Sequence, residues 1–350
     1  MNTTTKLITV LLAVLLMGLL ALTACQDSKD EPISTFVEKT TLYLATSGFY
    51  GHPEFIVSLE GDTVYQCEDT ESKIHALVAD GNDCYIVIRR RDDGTFNVLK
   101  NDNSIYKTEE KLWCFTVKDG IVYTVQEDEL SNTIWLCKDF ERIYEVPKNV
   151  YYFTLSVDYG NVAMGVYDEK PCYWYNGEII PIEGLDGGFD WVYGIDKKGD
   201  DMLITYQDIP TRSNMYWWKG ERHDFESWFT PRCSRIVNGQ AYILGKKITQ
   251  QGVGGVDGVA AVIIDGKETI ISDVVGSSAE QIVVNGDNDY ILVRRGSGNY
   301  TEIYKNLETI TLPKVEIPED YKPYHLYHDY DSCTLGELGI KCFTVVKSSR

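Results

Sequence analysis

After an initial apolar run from Leu7 to Leu20, hydrophobic residues recur only in short segments rich in Val, Ile, Tyr and Trp, separated by Gly, Asn and Asp. That alternation is the pattern of strands bounded by tight turns. Six of the turns align: Asp80-Gly81, Asp119-Gly120, Tyr159-Gly160, Lys198-Gly199, Asn238-Gly239 and Asn285-Gly286. Their glycines are spaced by 39, 40, 39, 40 and 47 residues. A period near 40 with about four strands per repeat predicts a propeller blade, whereas helical repeats of that length show an apolar period of 3.6. The chain has no such helical period.

Inside each period an apolar strand runs into a second turn. Examples are Phe96-Asn97-Val98-Leu99-Lys100-Asn101, Tyr173-Trp174-Tyr175-Asn176-Gly177, Tyr216-Trp217-Trp218-Lys219-Gly220, Val262-Ile263-Ile264-Asp265-Gly266 and Ile303-Tyr304-Lys305-Asn306. Asn-Gly, Lys-Gly and Asp-Gly supply the positive φ angles of two-residue hairpins, so these turns join the third strand of a blade to its fourth. In the second unit the four strands are expected at residues 74–79, 84–90, 95–101 and 104–108. Cys342-Phe343-Thr344-Val345 repeats Cys114-Phe115-Thr116-Val117, an innermost strand, while residues 42–46 read as a second strand without a first. Joining the two ends closes backbone edges that would otherwise stay open. The expected fold is therefore all-β: a seven-bladed β-propeller of four-stranded antiparallel blades, with the first blade closed by the C-terminal strand. Eight blades are the alternative, if residues 324–330 and 341–346 form a blade of their own.

The hydrophobic-Trp/Tyr-Lys/Tyr-Asn/Gly hairpins resemble those of a family of bacterial lipoprotein β-propellers, from about Thr41 to the C-terminus. Asp139-Phe140 and Asn306-Leu307 depart from the hairpin Asn-Gly. The resemblance implies the fold and an exported setting. It carries over no catalytic residues, because most members of that family have no assigned activity. The N-terminus agrees: Lys6 precedes the apolar run, and Leu22-Thr23-Ala24-Cys25 is similar to the lipobox of bacterial lipoproteins. A charged start, a short apolar stretch and small residues before the cut mark an export signal. The expected organisation is a signal peptide over residues 1–24, a tether over 25–40 lipidated at Cys25, palmitate included, and the propeller over 41–350. Lys29-Asp30-Glu31 resembles a surface-sorting tag, so an outer-membrane lipoprotein facing the exterior is expected, with a periplasm-facing position as the alternative.

Removal of 24 residues leaves 326, room for one large domain, and no Pro/Ser-rich linker divides them. A formal charge of −20 lacks the basic footprint that a nucleic-acid partner requires and repels anionic lipid. Membrane contact is therefore expected through lipidated Cys25 alone, in a monomer without a cofactor. Eight further cysteines, Cys67, Cys84, Cys114, Cys137, Cys172, Cys233, Cys333 and Cys342, include no CxxC pair for zinc or thiol redox chemistry. They read as small buried hydrophobes with one or two disulfides, Cys333 with Cys342 being the close pair to test.

In a four-stranded blade the first-to-second and third-to-fourth turns share one face, and all are short here. Every long segment, at residues 47–53, 183–190, 228–232, 246–257 and 313–340, falls on the other face. Loops on a rigid scaffold carry binding, so that face is the expected working one. It gathers Phe49, Tyr50 and His52; Phe189, Asp190 and Trp191; Trp228 and Phe229; and Tyr324, His325, Tyr327 and His328. Aromatic faces cover the C–H side of a pyranose while polar groups take its hydroxyls, so the expected ligand is a glycan or an envelope protein. Packing of Trp191 and its neighbours into the core is the competing reading. A propeller glycoside hydrolase or lyase is the rival class, although no carboxylate pair is fixed by the sequence; an envelope scaffold is the third. Asp92-Asp93-Gly94-Thr95-Phe96 resembles a sialidase Asp box but occurs once and reads as a turn. His325 and His328 lack the helix and third ligand of a zinc site, and no metal is expected.

Overall fold

A computed structural model of the chain describes residues 39–46, 53–166, 168–225, 228–252, 255–296, 300–316, 332–334 and 340–348. It is all-β, with seven four-stranded antiparallel sheets arranged in a ring, a seven-bladed β-propeller. Six blades are continuous in sequence. Blade 2, for example, runs Ser72–Asp80, Asp83–Arg90, Phe96–Lys100 and Asn103–Thr108 from the axis outward. Blade 1 is split: Ile340–Ser348 is its innermost strand, followed by Lys39–Thr46, Phe55–Ser58 and Thr63–Gln66. The stretch read as an eighth-blade alternative divides accordingly. Residues 341–346 belong to blade 1, and residues 324–330 lie outside the described residues.

The turn chemistry explains the sequence repeat. The outer hairpins of the six continuous blades, at Asn101-Asp102, Asp139-Phe140, Asn176-Gly177, Lys219-Gly220, Asp265-Gly266 and Asn306-Leu307, hold both central residues at positive φ. This is the type I′ geometry that matches strand twist. In five of them the leading Asn or Asp also clamps the second strand. The N–H groups of Cys84, Val122, Val162, Ala241 and Asp289 donate to the Oδ1 atoms of Asn101, Asp139, Asn176, Asp265 and Asn306 at 2.8–3.0 Å. Each of those Asn or Asp residues returns its own N–H to the same residue's carbonyl. Lys219 of blade 5 has no acceptor to offer and breaks the pattern. Phe140 tolerates its φ of 68° while stacking on Tyr106 of blade 2, with centroids 4.0 Å apart.

Near the axis the strands must twist sharply. In every continuous blade the pairing of innermost and second strands carries a register shift, at Ile74/Ala76, Leu112/Cys114, Tyr151/Ser156, Phe189/Trp191, Pro231/Cys233 and Ala279/Gln281. A bulge of this kind bends a strand and raises its local twist. Apolar side chains then fill the spaces between neighbouring blades. One cluster occupies each interface, from Ile86 and Ile74 between blades 1 and 2 to Leu44, Phe343 and Leu292 between blades 7 and 1.

Two substitutions test the turn account by urea denaturation. Asn176→Ala leaves the Val162 N–H without its acceptor and should cost about 1–2 kcal/mol. Leu307 sits at φ 67° without a stacking partner of the Phe140 kind, so Leu307→Gly should stabilise by about 0.5–1 kcal/mol. A neutral Asn176→Ala or a destabilising Leu307→Gly contradicts the account.

Candidate functional site

The longer connections lie on one face, as expected, but three of them are shorter than the sequence reading. Residues 189–190 open the innermost strand Phe189–Lys198 of blade 5, and residues 229–232 open Phe229–Val237 of blade 6. Residues 246–252 and 255–257 are strand, which corrects the loop expected over 246–257. Gln240–Gly252 pairs with Gly255–Ile264 up to Gly252↔Gly255, a hairpin extending beyond blade 6. Its extra length accounts for the single interval of 47. The described part of the 313–340 segment pairs Lys314–Glu316 with Ser332–Thr334.

On this face a cleft of about 710 Å³ opens between blades 5 and 6. Trp228 stands at its lip, 68% exposed. Its backbone is held: the Ile248 N–H of the extended hairpin donates to the Trp228 carbonyl at 2.7 Å. One wall is aromatic, with Phe225 packed between Tyr216 and Phe229 at centroid distances of 5.2 and 5.1 Å. Asn214 ties the blades together, accepting from the Tyr193 hydroxyl and donating to the Phe229 carbonyl, each at 2.8 Å. Arg212, Arg222, Gln207 and Asp224 supply charge and hydrogen-bonding capacity. Asp224 is the one carboxylate among the described lining residues. Asp190, beside it on the same face, is ion-paired with Arg212. Behind Arg222 lie Asp208, 3.7 Å away, and Tyr206. Burial pushes the Tyr206 phenol up to about 12, Arg222 opposing the rise and Asp208 and Asp224 adding to it.

The sequence candidates separate into three groups. Trp191 (48% exposed), Trp228 and Asp190 reach the surface. Phe189 and Phe229 are 2% and 3% exposed and belong to the interblade cores, which corrects their reading as loop aromatics, although the Phe229 ring edges the cleft floor. Cys25, Phe49, Tyr50, His52, Tyr324, His325, Tyr327 and His328 lie outside the described residues. Sequence reasoning missed Arg212, Arg222 and Phe225, which adjoin the turns of blade 5. The Asp92–Thr95 segment is a turn in which Asp93 accepts the Thr95 N–H and hydroxyl. Among the described residues no group of three or more His, Cys, Asp or Glu could hold a metal ion.

The thiols also correct an expectation. Cys67, Cys84, Cys114, Cys137, Cys172, Cys233 and Cys342 are all unpaired, so the bridge from Cys333 to Cys342 does not form. Burial pushes Cys67, Cys84 and Cys342 up to about 12, and Cys114, Cys137 and Cys172 up to about 11. These six stay protonated at pH 8, where only the thiolate reacts. Ellman's reagent at pH 8 should therefore reach them only on unfolding, at the unfolding rate; in a chain with Cys25, Cys233 and Cys333 replaced by Ser, rapid labelling of the folded state contradicts their placement. Truncation also distinguishes lip from core. Phe189→Ala should cost about 3–5 kcal/mol, whereas Trp228→Ala should stay within about 0.5 kcal/mol.

No family model and no curated protein matches the chain. Solved structures do. The β-propeller domain of the Trilobed protease from Pyrococcus furiosus, described as having an open velcro topology, aligns with a TM-score of 0.52 at 11% identity, over 76% of this chain and 89% of that one. A Pyrococcus horikoshii acylaminoacyl peptidase aligns at 0.54 and 14% identity, over 78% of this chain, which spans about half of the peptidase. At such identities the likeness establishes the β-propeller fold alone.

Proposed function

We propose that this chain is an exported, lipid-anchored β-propeller binding module that holds its ligand in the cleft between blades 5 and 6. The observation that carries the reading is Trp228, a large exposed aromatic side chain on a backbone fixed by the Ile248 hydrogen bond, beside polar groups spaced for hydroxyl recognition. An aromatic platform with Arg, Gln and Asp around it suits a glycan. Binding rather than turnover is favoured by the lining, which offers one described carboxylate where glycoside hydrolysis uses two. An envelope protein is the second reading, because Trp and Arg are also the anchors of protein interfaces. Lipidation of Cys25 and an outer-membrane position, exposed or periplasm-facing, complete the proposal and rest on the N-terminal sequence.

A glycan array probed with the chain from Ser34 onward, beside Trp228→Ala and with hydrolysis products monitored, tests the ligand. The reading expects at least one glycan to bind, the variant to lose tenfold or more in affinity with its melting temperature unchanged, and no product to appear. Unaltered binding by the variant contradicts the cleft, released product revives the enzyme class, and silence on every glycan transfers the proposal to a protein partner. Incorporation of labelled palmitate into the full chain, absent from Cys25→Ser, tests the anchor, and protease shaving of intact cells distinguishes the two orientations.

A further inference from the structure

The bore of the ring holds a second candidate site at the opposite, tight-turn end. A cavity of about 270 Å³ is lined by the ends of the innermost strands of blades 3 to 7. Its charged lining is Lys118, Lys198 and Arg235 against Asp196 alone. Three cations to one acid is the reverse of the whole chain, whose formal charge is −20.

The four groups are not equivalent. Asp196 is buried and fully engaged: the Ser156 hydroxyl and the Ile236 N–H donate to it at 2.6 and 2.7 Å, which ties blades 4, 5 and 6 together, and Lys198 Nζ lies 3.7 Å away. Lys118 has Asp119 at 3.7 Å. Arg235 is different. Its Nη1 donates to the carbonyl of neighbouring Ser234 at 3.0 Å, and among the described residues no carboxylate comes within 4 Å of it. A half-buried guanidinium with five N–H donors and one hydrogen-bond acceptor, attracted to Asp196 only across more than hydrogen-bond distance, keeps most of its donors open to a ligand. It is also the side chain whose planar fork fits a carboxylate in bidentate fashion. The Thr116 hydroxyl on the same wall is a further donor.

We propose that the tight-turn end of the central channel binds a small organic carboxylate, with Arg235 as its bidentate partner and Lys118 and Lys198 at the mouth. Charge balance selects the ligand class. Lys118, Lys198 and Arg235 face two acids, Asp119 and Asp196, which leaves a net charge of one positive, so a monoanion fits where phosphate or sulfate dianions exceed the balance. The cavity has room for a molecule of sugar-acid size or less, below the usual span of drug-sized pockets. Recognition here is independent of the cleft between blades 5 and 6, which opens on the other face.

Calorimetric titration of the full mature chain with acetate, lactate and glucuronate, alongside glucose and inorganic phosphate, tests the proposal. At least one carboxylate should bind and raise the melting temperature. Arg235→Gln should weaken that binding at least tenfold, and Arg235→Lys should recover part of it. Trp228→Ala should leave it unchanged. Without ligand, Arg235→Gln should melt close to the parent temperature, because Arg235 makes one hydrogen bond, to a backbone carbonyl of its own strand; a structural arginine would give a much lower one. Failure of all three carboxylates, equal binding by Arg235→Gln, or phosphate binding more tightly than every carboxylate would overturn it.

Discussion

The structure depends on one long-range pairing, the seating of Ile340–Ser348 beside Lys39–Thr46 as the innermost strand of blade 1. Ile340, Phe343 and Val345 complete the core shared with blade 7, and Val346 enters the core shared with blade 2. Polar groups pin the same strand. Glu54, 2% exposed, pairs with Lys341 across 287 residues of sequence and accepts the Ile74 N–H at 2.8 Å, while Lys73 lies 3.7 Å away. Thr344 accepts the Ala79 N–H at 2.9 Å, and Gln281 donates to the Phe343 carbonyl at 3.0 Å. A buried carboxylate is tolerable only with this density of partners. Closure across nearly the whole chain is slow to form, since its loop entropy is paid before the contacts reward it.

Fold and sequence agreed where local chemistry decides structure. The Gly of the aligned inner turns and the Asn or Asp of five outer turns are written in the chain because they reach positive φ cheaply and, in the outer turns, clamp the neighbouring strand. Strand ends in blade 2 fell within two residues of expectation. The site was less legible, and bulges are the reason. Along Phe189–Lys198 two register shifts interrupt the alternation, so Phe189 and Val192 face the core while Trp191 faces solvent. A period of two cannot assign faces across such breaks. Residues 246–257, ending in a Gly-rich stretch, suggested a loop, yet residues 246–252 and 255–257 continue a hairpin whose pairing needs no side-chain signal.

Ring architecture also separates two kinds of chemistry. The long-loop face presents Trp228 and its polar neighbours at an interblade seam, where an exposed side chain can change without disturbing the core. The bore sets Lys118, Asp196, Lys198 and Arg235 among apolar neighbours such as Leu155 and Ile282, where each polar side chain needs a partner or a ligand. Asp196 found partners in two neighbouring blades; Arg235 did not.

The measurement that tests closure most directly is thermal and urea unfolding of a chain ending at residue 339. Loss of Ile340, Phe343, Val345 and Val346 removes four buried side chains at about 1.5–3 kcal/mol each, comparable with the whole stability of a domain. The account predicts that the shortened chain loses its cooperative transition and its fixed tertiary structure, and that a peptide spanning residues 340–350 restores part of both. A shortened chain that melts like the parent would contradict the view that one strand holds the ring together.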